Sequence, residues 1–148
     1  MLFRSLNPGA EILVKTMAKY GASCVLVSGG FTYYTEHIAR LCGFAYHHGN
    51  ILDVENSTLT GTVTHPILGR AAKEDYLNHY IKKLKISTED SITVGDGAND
   101  LAMLEAAGLG IGYYPKPALE EALSYHIKHT DLTSLLFIQG YQDHQFVM

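Results

Sequence analysis

Ser91-Ile-Thr-Val94-Gly95-Asp96-Gly97-Ala98-Asn99-Asp100 is the stretch that decides the fold. Ser91 to Val94 reads as a strand, Gly95-Asp96-Gly97 as the turn at its carboxyl end, and Asn99 to Ala107 as the helix that follows. Gly108-Leu109-Gly110-Ile111-Gly112 starts the next strand. Outward from there, Ala72, Tyr76, Leu77, Tyr80, Ile81 and Leu84 recur at helical spacing over residues 69–84, leaving Lys82, Lys83 and Lys85 on the exposed face. Pro117 to Leu123 and Leu132 to Ile138 also read as helices, with Tyr125 to Ile127 extended between them.

The first half of the chain shows the same alternation. A helix starts at Asn7-Pro8-Gly9 and stops at Gly21, and residues 23–27 (Ser-Cys-Val-Leu-Val) follow as a fully buried strand closed by Ser28-Gly29-Gly30. Phe31 to Leu41 is a helix ended by Gly43, residues 44–47 are extended, and residues 50–63 alternate about Glu55-Asn56-Ser57 as a hairpin does. Strands alternating with helices of this length predict βαβ units: an α/β fold of three layers, a parallel sheet between two layers of helices. Ligands of such sheets sit at the carboxyl ends of strands, where both Gly-rich elbows fall.

With 148 residues, 47% hydrophobic and 18% charged, the chain is expected to fold as one domain over residues 1–148, with a hairpin insertion at about 50–64. A net charge of −4 argues against broad capture of nucleic acid or anionic lipid. Cys24 and Cys42 have no C-x-x-C spacing and are expected reduced and buried. The start, Met1-Leu-Phe-Arg-Ser-Leu-Asn-Pro, lacks the apolar core of a signal peptide, and no apolar run approaches the ~18 residues that span a bilayer. The expectation is a cytoplasmic protein.

Gly95 to Asp100 brings two carboxylates, Asp96 and Asp100, and the Asn99 amide to one strand tip, with glycines that let backbone approach a ligand. Hard oxygen donors of this kind suit Mg²⁺ with a phosphate beside it. Helix capping by Asn99 or Asp100 accounts for one such residue, not for all three. Ser28-Gly29-Gly30 offers a hydroxyl and free N–H groups for a phosphate oxygen, though a plain strand-to-helix turn uses the same residues. Ser28 is not an acyl-transfer nucleophile by pattern, since Leu26 stands where G-x-S-x-G needs glycine. Lys73 is placed to neutralise a phosphate, with Arg70 as its competitor. His47-His48 and His126/His129 lack companions at zinc spacing, and Tyr33-Tyr34 and Tyr113-Tyr114 read as packing or pocket-wall residues. A dinucleotide fingerprint fails at Asp100, whose carboxylate would repel a pyrophosphate.

Three segments carry a resemblance. Val27-Ser28-Gly29-Gly30-Phe31, Lys73 after Leu59-Thr60-Gly61 and Pro66-Ile67, and Gly95 to Leu101 with Met103-Leu104 and Ala107 to Gly110 resemble the second, third and fourth motifs of the haloacid dehalogenase superfamily. In combination they resemble its phosphoserine phosphatases, from about Leu6 to Tyr141. The resemblance implies a Rossmann-like sheet and Mg²⁺-dependent hydrolysis of L-phosphoserine to serine and phosphate through an aspartyl-phosphate, as in serine biosynthesis. It also implies roles. Ser28, the Gly29 amide and Asn99 contact phosphate, Lys73 neutralises nucleophile and phosphate, Asp96 ligates Mg²⁺, and Asp100 orders Lys73 or metal-bound water. All of these would line one pocket.

The family's first motif, D-x-D-x-T, which supplies nucleophile and general acid, has no counterpart, for no D-x-D occurs in these residues. Most of the helical cap that grips the serine moiety is absent too. The expectation is a fold truncated at its N-terminus and a chain that turns over negligibly by itself. Because the family's first strand is central, its loss would leave open strand edges that water, direct pairing or a complementing strand must satisfy. A homo-oligomer or a complementing N-terminal fragment is the protein partner left open. The competing reading is a non-catalytic module that binds phosphate or joins a partner enzyme.

Overall fold

The described residues, 6–148 of a computed structural model, begin with α1 (Ala10–Lys19), followed by β1 (Val25–Phe31), α2 (Thr32–Cys42), β2 (Tyr46–Asn50), β3 (Leu52–Glu55) and β4 (Thr58–Val63). Next come α3 (Arg70–Leu84), β5 (Ile92–Gly95), α4 (Leu101–Ala106), β6 (Leu109–Tyr113), α5 (Pro117–Ala122), β7 (His126–Ile127) and finally α6 (Ser134–Ile138). Contacts divide the chain into two units. Residues up to 67 join 130–148, and residues 68–129 form the second. Met1–Ser5, the start read for a signal peptide, lie outside the described residues.

In the first unit β1 and β2 pair in parallel, Val25 to Val27 opposite Tyr46 to His48, with a register shift before Phe31 meets Asn50. Helix α2 spans the connection and packs on both strands, while α1 packs on α2. Val14, Ala39, Cys42, Leu135 and Leu136 form the core. The charges of α1 complement its dipole, with Glu11 in the first turn, Lys19 in the last, and an ion pair from Glu11 to Lys15 one turn on. Thr16, fully buried, accepts the Val147 N–H at 2.8 Å, which fastens the end of the chain to α1. Burial pushes the Cys24 thiol up to about 11, and burial with Glu11 nearby also raises that of Cys42.

Two expectations are corrected here. Residues 23–27 are not a fully buried strand: Ser23 is exposed and Val25 to Val27 are half-buried, because among the described residues β1 has a strand neighbour on one side only. For the same reason Cys24 is half-buried, whereas Cys42 is fully buried; both thiols are free. The hairpin forms as expected. Its turn places Asn56 and Ser57 at φ 48° and 63°, the left-handed pair that matches strand twist. Asp53 accepts hydroxyls from Thr62, at 2.7 Å, and Thr64, which hold its carboxyl below the usual range. Tyr33 and Tyr34 meet edge to face, yet both are exposed rather than packed inside.

The second unit is a parallel sheet in the order β5-β6-β7, Ile92 to Gly95 opposite Leu109 to Gly112, with core residues Leu104, Ile111, Leu119 and Ile127. Helices α3 and α4 pack on each other, and α4 lies on β5 and β6. Position 110 sets how closely: a Cβ there would stand 2.1 Å from the Leu104 carbonyl oxygen, so only glycine lets α4 settle on β6. The helix expected over Asn99 to Ala107 is shorter. Ala98 to Asp100 form a 3₁₀ turn and α4 starts at Leu101, since the Asp100 carboxylate bonds backward to the strand-tip amides and tightens the first turn. Parallel strands joined through helices make this an α/β fold.

Candidate active site

Asp100 organises the tip of β5. It is 3% exposed, and its Oδ2 accepts the N–H groups of Asp96 and Gly97, each at 3.1 Å. Its Oδ1 pairs with Lys73 Nζ on the first turn of α3, where the two side chains are 4% and 12% exposed respectively. A buried carboxylate of this kind persists only when its oxygens are matched, and here an ammonium and two amides match them. The carboxylate can sit there because position 95 lacks a side chain: a Cβ on Gly95 would lie 2.5 Å from Asp100 Cβ and 2.7 Å from Oδ2. Arg70, the competitor of Lys73, is exposed and takes no part in the pair.

With Asp100 turned inward, the outward carboxylate is that of Asp96, exposed, and its side chain makes no hydrogen bond or ion pair among the described residues. Asn99 is exposed beside it. The expectation that both carboxylates converge on a ligand is thereby corrected, because the oxygens of Asp100 are taken up by Lys73 and two N–H groups. Among the described residues no three His, Cys, Asp or Glu side chains gather as a metal cluster. Asp96 alone, a hard oxygen donor at an open strand tip, fits the mode in which Mg²⁺ takes one or two carboxylates and completes its shell with water and phosphate.

Ser28 and Gly29 lie within β1, in the irregular stretch between the pairs at Val27 and Phe31, so the expected turn after residue 27 is corrected: the strand runs on to Phe31. Ser28 Oγ accepts the Gly30 N–H at 3.0 Å, and Gly29 and Gly30 are exposed. The loop is held from beneath by Asn50, 8% exposed, whose Nδ2 donates to the Gly29 carbonyl at 2.8 Å. Asn50 was missed from sequence. Its signal was a lone amide closing the otherwise aromatic and histidine run Tyr46-His47-His48-Gly49, at the very strand end where a Gly-rich loop needs a partner. Of the histidines, His47 shares a 3.0 Å hydrogen bond with Thr35 Oγ1.

The family model for haloacid dehalogenase-like hydrolase matches residues 2–105. The chain belongs to that family. A phosphoserine phosphatase of Lactococcus lactis is 40% identical over 139 residues, 93% of this chain and 64% of its own length. The solved structure of a probable phosphoserine phosphatase from Vibrio cholerae superposes with a TM-score of 0.89 at 31% identity, over 93% of this chain and 42% of that one. A substrate-bound phosphoserine phosphatase complex gives 0.83 at 36% identity, over 90% and 64%. Among the curated relatives it matches, this haloacid dehalogenase-like chain spans from 33% to 64% of the full length.

Proposed function

We propose that the chain is the phosphate- and magnesium-binding part of a phosphoserine phosphatase, a phosphoric monoester hydrolase that cleaves L-phosphoserine to L-serine and phosphate. The observation that supports it is the division of labour at the β5 tip: Asp100 buried on Lys73, Asp96 left open. The relatives, by name phosphoserine phosphatases, point the same way. Asp96 would hold Mg²⁺, which when bound withdraws charge from the phosphoryl oxygens. Asp100 fixes the Lys73 ammonium in place as a point charge for the phosphate, and the Asn99 amide donates to a phosphoryl oxygen. In the first unit Ser28 and Gly29 have the same capacity, a hydroxyl and an open amide for a phosphate oxygen. The same reading places the chain in the cytoplasm; among the described residues no helix is long and apolar enough to cross a membrane.

The 148 residues hold no D-x-D pair, and covalent transfer needs a nucleophile. A polypeptide of these residues alone would therefore bind phosphate with Mg²⁺ and release almost none from phosphoserine. That same observation favours the second reading, a non-catalytic phosphate-binding module. Mixing the purified chain with a polypeptide carrying D-x-D-x-T and a cap separates the two. Hydrolysis of L-phosphoserine on mixing supports the phosphatase; association without hydrolysis supports the module; failure to bind phosphate with Mg²⁺ removes both.

A further inference from the structure

Lys116, unassigned by the motifs, approaches the same loop from the turn between β6 and α5. Its backbone N–H donates to the Asp96 carbonyl at 2.9 Å, which fixes its position against the β5 tip. Its side chain then reaches Gly97: a Cβ built on that glycine would stand 2.7 Å from Asn99 Oδ1 and 4.0 Å from Lys116 Nζ. Asn99 Oδ1 and Lys116 Nζ thus both come close to Gly97, a buried glycine whose missing side chain lets Asn99 approach. Lys116 is exposed and forms no ion pair among the described residues.

Charge decides what this ammonium does. Lys73 and Asp100 neutralise each other, so with Asp96 ionised the loop carries one net negative charge until Lys116 is counted. Without a metal ion a phosphate dianion is repelled by the first arrangement and not by the second, and with Mg²⁺ on Asp96 the Lys116 ammonium adds one further positive charge to the site. We propose that Lys116 is a phosphate-binding residue, the second cation of this site, which holds the phosphoryl group of a phosphomonoester over Gly97. The inference rests on the proposed function and adds a residue to it.

The test uses the full 148-residue chain, inorganic phosphate and Mg²⁺, and does not require turnover. In a ³¹P NMR titration with Mg²⁺ present, Lys116→Gln is expected to weaken phosphate binding by about threefold to tenfold, and Lys116→Arg to restore most of it. Calorimetry with Mg²⁺ alone is expected to show equal or tighter binding in Lys116→Gln, because a neighbouring positive charge has gone. A residue that merely supported the loop would weaken both ligands together. Equal phosphate affinity in Lys116→Gln and wild type, or joint loss of both ligands, overturns the role of Lys116. Wild-type chain that binds no phosphate overturns the proposed function itself.

Discussion

In the irregular stretch of β1 a neutral amide, Asn50, reaches back 21 residues to the Gly29 carbonyl, and the hydroxyl of Ser28 closes onto the Gly30 N–H. At the tip of β5 a charged pair does the equivalent work, Lys73 and Asp100 being 27 residues apart, and the carboxylate also takes two N–H groups of the loop. Both are glycine-bearing stretches suited to phosphate oxygens, but they divide stability from function differently. Around β5 the group that fixes the loop is buried and the group that faces out, Asp96, is free of that duty. Around β1 Ser28 does both, bonding its own loop while remaining the donor that a ligand would need.

The largest test of this contrast is Asp100→Ala. It leaves the Lys73 charge without its partner and frees the amides of Asp96 and Gly97, and the expected loss is about 3–5 kcal/mol in urea unfolding. Hydrogen exchange adds a local reading: the Gly97 amide, protected in the wild type, should exchange rapidly in the variant, while Gly30 is unchanged. A loss below about 1 kcal/mol would mean that the pair does not fix the loop. Asn50→Ala comes next, at about 1–2 kcal/mol, since it removes the hydrogen bond that the buried Asn50 amide gives to the Gly29 carbonyl. If it costs as much as Asp100→Ala, the distinction between the loops disappears. Ser28→Ala is the smallest, within about 1 kcal/mol by the same unfolding measurement, because water replaces its bond to the exposed Gly30 amide.

Periodicity made most elements legible. Helices α1, α2 and α3 and the hairpin fall where apolar spacing and turn residues put them, since those signals are local. The departures arise where a distant contact wins. Residues 23–27 read as buried because an apolar run implies two covered faces, yet burial also needs a neighbour on each edge, and among the described residues β1 has one. The turn at Ala98 to Asp100 read as helix because nothing nearby shows that Asp100 bonds backward. In the site, Asp96, Asn99, Asp100 and Lys73 were visible as residue types. Which carboxylate faces outward was not, because the choice depends on where α3 delivers Lys73. Asn50 and Lys116 were overlooked, as a single amide and a single lysine carry no pattern until the chain folds around them.

Position 110 carries a warning for anyone redesigning this scaffold. It has no side chain and carries none of the reacting groups, yet α4 continues directly from the turn that holds Asp100, and α4 rests on the β6 backbone at that glycine. Libraries confined to the reactive side chains would never sample it. A single methyl group there would lift the helix and drag the carboxylate out of register, so the most restrictive address in the second unit is one that chemistry-led mutagenesis would skip.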